Sequence, residues 1–212
     1  MTSGLVDLSI ANEFVDIQKI LKPQLSIEVG AFDAEFSLMM LDKNICENIY
    51  AYEASKDVYN KFKASLSGID YTNLAITNYS GTATLEIDPD VNASDNGSNG
   101  IKNKREVKKY NYLEVECNSL DNLHTSDETN CLWIDVEGAN KEVLLGAEKL
   151  LENTDSLFIE TETHNYWQEQ WLHNDVVNYL AKYNLTFYKW KKQHTSQYNC
   201  IFIKDDLISL IS

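Results

Sequence analysis

The chain has 212 residues, enough for one domain that buries about 70% of the surface its unfolded form exposes. Hydrophobic residues make up 43% and charged residues 24%, which excludes disordered, collagen-like and coiled-coil chains. With 33 acidic and 18 basic residues the formal charge is −15. That argues against nucleic acid or an anionic membrane surface as a general partner, because neutralising phosphate takes Lys and Arg.

Ile10, Phe14, Ile17 and Leu21 recur at helical spacing, so residues 1–22 hold an amphipathic helix that Pro23 ends. Leu25–Val29 reads as a first strand and residues 36–41 as the helix after it. A second strand covers 49–52, a helix initiated by Ser55 runs through Phe62, and a third strand covers 71–76. Residues 83–87 and 110–117 look like extra strands. Between them, 88–109 is rich first in Asn, Asp, Ser and Gly and then in Lys and Arg, and reads as an inserted loop that could act as a lid. Alternation resumes with a strand at 131–134, a helix at 141–151, a strand at 157–159 and a helix at 167–183. Strands at 185–190 and 198–203, with a short connection, close the chain as an antiparallel pair. Repeated strand–helix units imply one domain over 1–212, an α/β fold with an open, mostly parallel sheet and helices on both faces.

Met1-Thr2-Ser3-Gly4 opens without a basic segment leading into a long apolar run, and no stretch approaches the roughly 18 apolar residues of a membrane span. Cys46, Cys117, Cys131 and Cys200 are widely spaced and read as buried free thiols. The expectation is a cytoplasmic protein without a membrane span.

In such sheets the ligand lies outside the carboxyl ends of the strands, where strand order reverses. Those ends are acidic here: Glu28, Glu53, Asp135, Glu137, Glu160 and Glu162. In the first turn Gly30 lets the backbone pass close to a ligand. Phe32 and Ala34 stand where a dinucleotide fingerprint would place glycine or small residues, and Glu28 would repel a diphosphate. Glu53 lies 23 residues after Gly30, near the roughly 20-residue offset at which an acidic residue reaches ribose hydroxyls. A nucleoside cofactor with positive charge and no phosphate fits, as S-adenosylmethionine does. Another nucleotide, or ordinary turn structure, stays open from spacing alone.

Six segments occur in order: Ile27-Glu28-Val29-Gly30-Ala31-Phe32-Asp33, Tyr50-Ala51-Tyr52-Glu53-Ala54-Ser55, Asn73-Leu74-Ala75-Ile76, Ser119-Leu120-Asp121, Trp133-Ile134-Asp135-Val136-Glu137-Gly138-Ala139, and Phe158-Ile159-Glu160. The series resembles the FkbM-type methyltransferases, S-adenosylmethionine-dependent enzymes with a class I, Rossmann-like seven-stranded fold. The resemblance runs from about residue 25 to about 203, and its most specific block is Ile134 to Gly138. It implies that Glu28 and Gly30, with Ala31 and Phe32, hold the methionine end of the cofactor. Glu53 with Ala54 would take the ribose, Ala75 would lie by the adenine, and Asp135 would face the methyl-transfer centre. The sequence departs from the family pattern at Glu28 for Asp, Ala34 for Gly, Ala54-Ser55 for Pro and Asn140 for an acidic residue.

The resemblance implies an O-methyltransferase acting on a sugar hydroxyl in a glycan or secondary metabolite. A hydroxyl acceptor needs a base or a metal. Asp135, Glu160 and His164 are the catalytic candidates, with Glu162 nearby. His164 could equally be an exposed or capping residue. Asp135 with Glu160 could hold a divalent ion, though no compact ligand motif demands one and no metal site is assigned. Lys102, Lys104, Arg105, Lys108 and Lys109 on the loop suit an anionic acceptor, with a merely solvated loop as the plainer reading. Tyr166, Trp167 and Trp171 could stack on a sugar face, although helix packing accounts for Trp171 equally well. The rival function is a non-catalytic module that keeps the fold and has lost the chemistry. A nucleotide-dependent oxidoreductase ranks third. The oligomeric state is not written in the sequence.

Overall fold

The computed structural model describes residues 8–87, 111–125 and 127–211. Its centre is β1 (Leu25–Val29), a strand buried along its whole length. Burial on both faces is what a central parallel strand requires. β1 pairs in parallel with β2 (Asn48–Glu53) on one side and β7 (Asn130–Ile134) on the other. β3 (Asp70–Asn73) extends the sheet beyond β2, and β8 (Thr154–Glu162) extends it beyond β7. β10 (Gln197–Lys204) runs antiparallel to β8 and to β9 (Leu185–Lys192), the far edge. The order is β3-β2-β1-β7-β8-β10-β9. Strand order reverses between β1 and β7, so the crevice for a ligand opens at their carboxyl ends.

Helices cover both faces. On one, Ile27, Val29, Leu132, Ile134, Leu157 and Ile159 pack under α5 (Asn140–Leu145), α6 (Glu148–Leu151) and α7 (His173–Leu180). On the other, Trp133, Phe158 and Ile201 meet α1 (Leu8–Leu21) and α2 (Glu35–Asp42). The aromatic centre of that face is a Trp133–Phe158 stack, centroids 3.6 Å apart, with Phe14 and Phe36 against it. α3 (Lys56–Phe62) links β2 to β3, and its cap is Ser55, whose hydroxyl accepts from Val58 N–H. α4 (Leu120–Leu123) precedes β7, and α8 (Ile208–Ile211) follows β10. A second sheet of three strands, β4 (Ala75–Ile76), β6 (Asn111–Asn118) and β5 (Gly81–Ile87), flanks the first. All four cysteines are buried free thiols. No described helix is long and apolar enough to cross a membrane.

The expected architecture stands, with three elements redrawn. The third strand, expected over 71–76, breaks at Leu74. Asn73 Nδ2 donates to Glu53 O and Ala54 O at 2.8 and 3.1 Å, which anchors β3 while β4 crosses into the second sheet. The helix expected over 141–151 is two helices parted at Gly146. A Cβ there would lie 2.1 Å from the Thr77 carbonyl oxygen, so the break is a close approach of two backbones. The helix expected from Trp167 starts at His173, where Asp175 Oδ2 accepts from Leu172 N–H at 3.0 Å. Trp167 is buried over Gly138 and Trp171 packs on Tyr179, which leaves only Tyr166 exposed for a ligand. The expected loop at 88–109 lies outside the described residues.

Candidate functional site

The turn after β1 sets the floor of the crevice. Gly30 and Ala31 N–H both donate to Tyr52 O at 3.0 Å, tying the turn to the end of β2. Gly30 has φ +77°, and a Cβ there would stand 1.9 Å from Asp135 O. Only glycine permits that backbone contact between the first turn and the residue after β7. Phe32 and Ala34 both adopt left-handed φ, 46° and 56°. The turn therefore takes the shape glycines would favour, using residues that adopt it at a cost of about 1–2 kcal/mol each.

Glu53 closes this turn from below. Its Oε2 accepts from Phe32 N–H at 2.9 Å and its Oε1 from Ser55 N–H at 2.7 Å. Burial outweighs those bonds and pushes its pKa up to about 7. Glu28, 4% exposed, turns toward the start of α2, where its Oε2 accepts from Ser37 N–H at 2.8 Å. Burial raises it to about 8. The Glu28 carboxylate is thus committed in part to anchoring α2, a role the sequence did not suggest. Ala75 and Ala54 lie together in the small apolar cluster beside the end of β2.

Asp135 follows β7, its N–H bonded to Val29 O at 3.0 Å. Glu160 and Glu162 continue the row on β8. Burial raises both Asp135 and Glu160 above the ordinary carboxylate range, and at Glu160 the nearby charge of Asp135 adds to the rise. Glu162 is pushed up to about 8, by burial first and then by the charges of Glu137 and Asp135. The structure brings Asp135 and Glu160 together and leaves His164 apart, on the exposed turn after β8 with its ring edge against Tyr166. Among the described residues no group of three or more His, Cys, Asp or Glu side chains is arranged to hold a metal ion.

Four amides that sequence reasoning missed complete the acidic wall. Gln197 Nε2 donates to Glu160 Oε1 at 3.0 Å, and Gln170 Nε2 donates to Glu162 Oε2 at 2.7 Å. Asn140 Nδ2 donates to Glu160 O at 2.7 Å, tying α5 to the end of β8. Asn199 pairs directly with Glu160 across β10 and β8. Asn140 was legible only as a departure in an otherwise acidic block. The others need the antiparallel register of β10, or the path of the loop after β8, which no local pattern announces.

Comparison with known proteins agrees with this geometry. The model of the methyltransferase FkbM domain matches residues 28–187. The crystal structure of methyltransferase FkbM from Methylobacillus flagellatus KT superposes with a TM-score of 0.55 at 12% identity, covering 86% of this chain and 44% of that one. This chain therefore spans less than half the length of that protein. Magnesium protoporphyrin IX methyltransferase from Synechocystis PCC 6803, with bound SAH, gives 0.50 at 8% identity, covering 92% of this chain and 80% of that one. An rRNA methylase from Streptococcus thermophilus gives 0.50 at 10%, covering 93% and 96%. No curated protein sequence matches. At these identities the structural likenesses speak for the fold alone, a class I methyltransferase fold. The family match spans most of the chain, from the acidic residue of the first turn into β9: this chain belongs to the FkbM methyltransferase domain family.

Proposed function

We propose that the protein is an S-adenosylmethionine-dependent methyltransferase acting on oxygen, with a sugar hydroxyl of a glycan or secondary metabolite as acceptor. The observation that carries this reading is the row of buried carboxylates around the Gly30 turn: Glu28, Glu53 and Asp135, all held above their ordinary pKa by burial. Such a site disfavours phosphate and gains from a ligand that brings positive charge. The cofactor fits that description, and the turn approaches Asp135 so closely that there is no space for a side chain at Gly30.

When bound, the cofactor supplies a methyl group on a sulfonium centre, poised for in-line displacement. Glu53 has both oxygens fixed by backbone N–H groups, and its remaining lone pairs would receive the two ribose hydroxyls. Gly30, Ala31 and Phe32 would line the methionine end, with Glu28 beneath them. Ala54 and Ala75 would give the adenine a flat apolar seat. Asp135 would face the transfer line. Glu160 would take the acceptor's proton on a carboxylate oxygen, oriented by Gln197. His164 sits on the exposed turn, and it is proposed only as a second base that would relay the proton to solvent.

A thermal-shift comparison tests the assignment. S-adenosylhomocysteine should raise the melting temperature and NAD should not, since its diphosphate would meet Glu28 and Asp135. Stabilisation by NAD alone would move the reading to a nucleotide-dependent oxidoreductase.

A further inference from the structure

The wall beyond Asp135 is made of carboxylates and amides. Glu160, Glu162, Asn199 and Gln197 belong to β8 and β10, with Glu160 opposite Asn199 and Glu162 opposite Gln197. Residues paired in this way share one sheet face, with Cβ atoms about 4.5–5.5 Å apart. Asn199 is 1% exposed; its Nδ2 donates to Gln193 Oε1 at 2.7 Å, and its Oδ1 has no partner among the described residues. Asn140, also 1% exposed, spends its Nδ2 on Glu160 O and likewise leaves Oδ1 unpaired. The Asn199 oxygen, on the sheet face it shares with Glu160, is therefore a buried acceptor with no donor supplied to it. An unpaired buried acceptor costs about 1–3 kcal/mol, so the site gains from a ligand that brings donors.

Charge points the same way. The charges that act on Glu160 are those of Asp135, Glu137 and Glu162, and those that act on Glu162 are Glu137 and Asp135, beside hydrogen bonds from the amides Gln197 and Gln170. Lys191, in the same row on β9, donates to Ser9 Oγ at 2.6 Å. The wall lies one strand beyond Asp135. Gln170 also accepts from Tyr166 and Trp167 N–H, and the Tyr166 hydroxyl is hydrogen-bonded to Ser196, so the loop after β8 is pinned over the wall.

We propose that the acceptor carries a protonated amine next to the hydroxyl that is methylated, and that Glu160 and Glu162, with the Asn199 carbonyl oxygen, receive it. This rests on the methyltransferase reading and narrows its acceptor to an amino-bearing polyol. It also reverses, at this wall, the anionic acceptor expected from the basic loop.

The test uses the full chain loaded with S-adenosylhomocysteine and three sugars differing only at carbon 6: 6-amino-6-deoxyglucose, glucose and glucuronate. Ligand-observed NMR titration near neutral pH gives their dissociation constants. The amino sugar should bind about tenfold tighter than glucose, as one charge-assisted hydrogen bond allows, and glucuronate should bind weakest. The advantage should vanish in Glu162→Gln, and in Glu160→Gln as a second variant, while S-adenosylhomocysteine affinity holds and reports that each variant is folded. Equal affinities, tightest binding of glucuronate, no measurable binding of the amino sugar, or an advantage that survives both substitutions would overturn the proposal. Failure of S-adenosylhomocysteine to bind the wild type would sink the cofactor reading instead, so the two failures are distinct.

Discussion

At the residue scale, the first turn shows how a conformation can persist after its favoured residue is gone. Phe32 and Ala34 occupy left-handed backbone that glycine would take without strain. Phe32 stays there because its N–H is bonded to Glu53, its carbonyl accepts from Tyr71 Oη at 2.5 Å, and its ring packs on Phe62. Ala34 is fully buried. Ala34→Gly should therefore change unfolding free energy by less than about 1 kcal/mol, because relief of strain offsets lost chain stiffness and a lost buried methyl. Gly30→Ala should behave quite differently. Its Cβ would lie 1.9 Å from Asp135 O at a φ of +77°, and the expected cost is about 3 kcal/mol or more by denaturant unfolding. Glu28, Gly30, Glu53 and Asp135 were legible because each lies at the end of a strand or next to it. The anchoring of α2 by Glu28 was not, because it depends on where that helix starts in space.

At the element scale, the reading fails where two backbones meet. Residues 141–151 have the apolar spacing of one helix, and Val143, Leu144 and Leu151 do pack on one face. Gly146 divides it because the Thr77 turn presses against that point. A glycine inside a helix costs about 1 kcal/mol relative to alanine. Here Gly146→Ala should nevertheless destabilise the protein, since a Cβ would stand 2.1 Å from Thr77 O. A rise in melting temperature for that variant would show that the close approach is not real. The break at Leu74 has the same origin: the side chain of Asn73 holds β3 to the end of β2, and no sequence period reports it. By contrast, the edge contact between Lys189 of β9 and Glu13 of α1, 2.5 Å across, joins exposed groups. Lys189→Ala should cost less than about 1 kcal/mol in thermal or chemical unfolding.

At the scale of the whole molecule, the charge of −15 divides into a solvated surface and a buried row at the strand ends. Sequence alone placed the row there, since strand–helix alternation fixes which ends face the crevice. The buried row makes stability depend on pH in a definite direction. Glu28, Glu53 and Glu162 have folded pKa values near 8, 7 and 8, all above the ordinary 4.5. Their contribution is fully present below about pH 4.5 and is lost as pH rises through 7–8, because ionisation in the folded state is penalised. The melting temperature of the free protein should accordingly fall between about pH 6 and pH 8.5, and S-adenosylmethionine should restore more of it at the higher pH. Self-repulsion among the surface carboxylates adds to the fall. The central claim, that this acidic crescent binds S-adenosylmethionine, is tested most directly by titrating S-adenosylhomocysteine into wild type and Glu53→Gln in a calorimeter. The account predicts saturable one-to-one binding by the wild type, weakened about tenfold or more in the variant. No heat with folded wild type, or equal affinity in the two proteins, would contradict it.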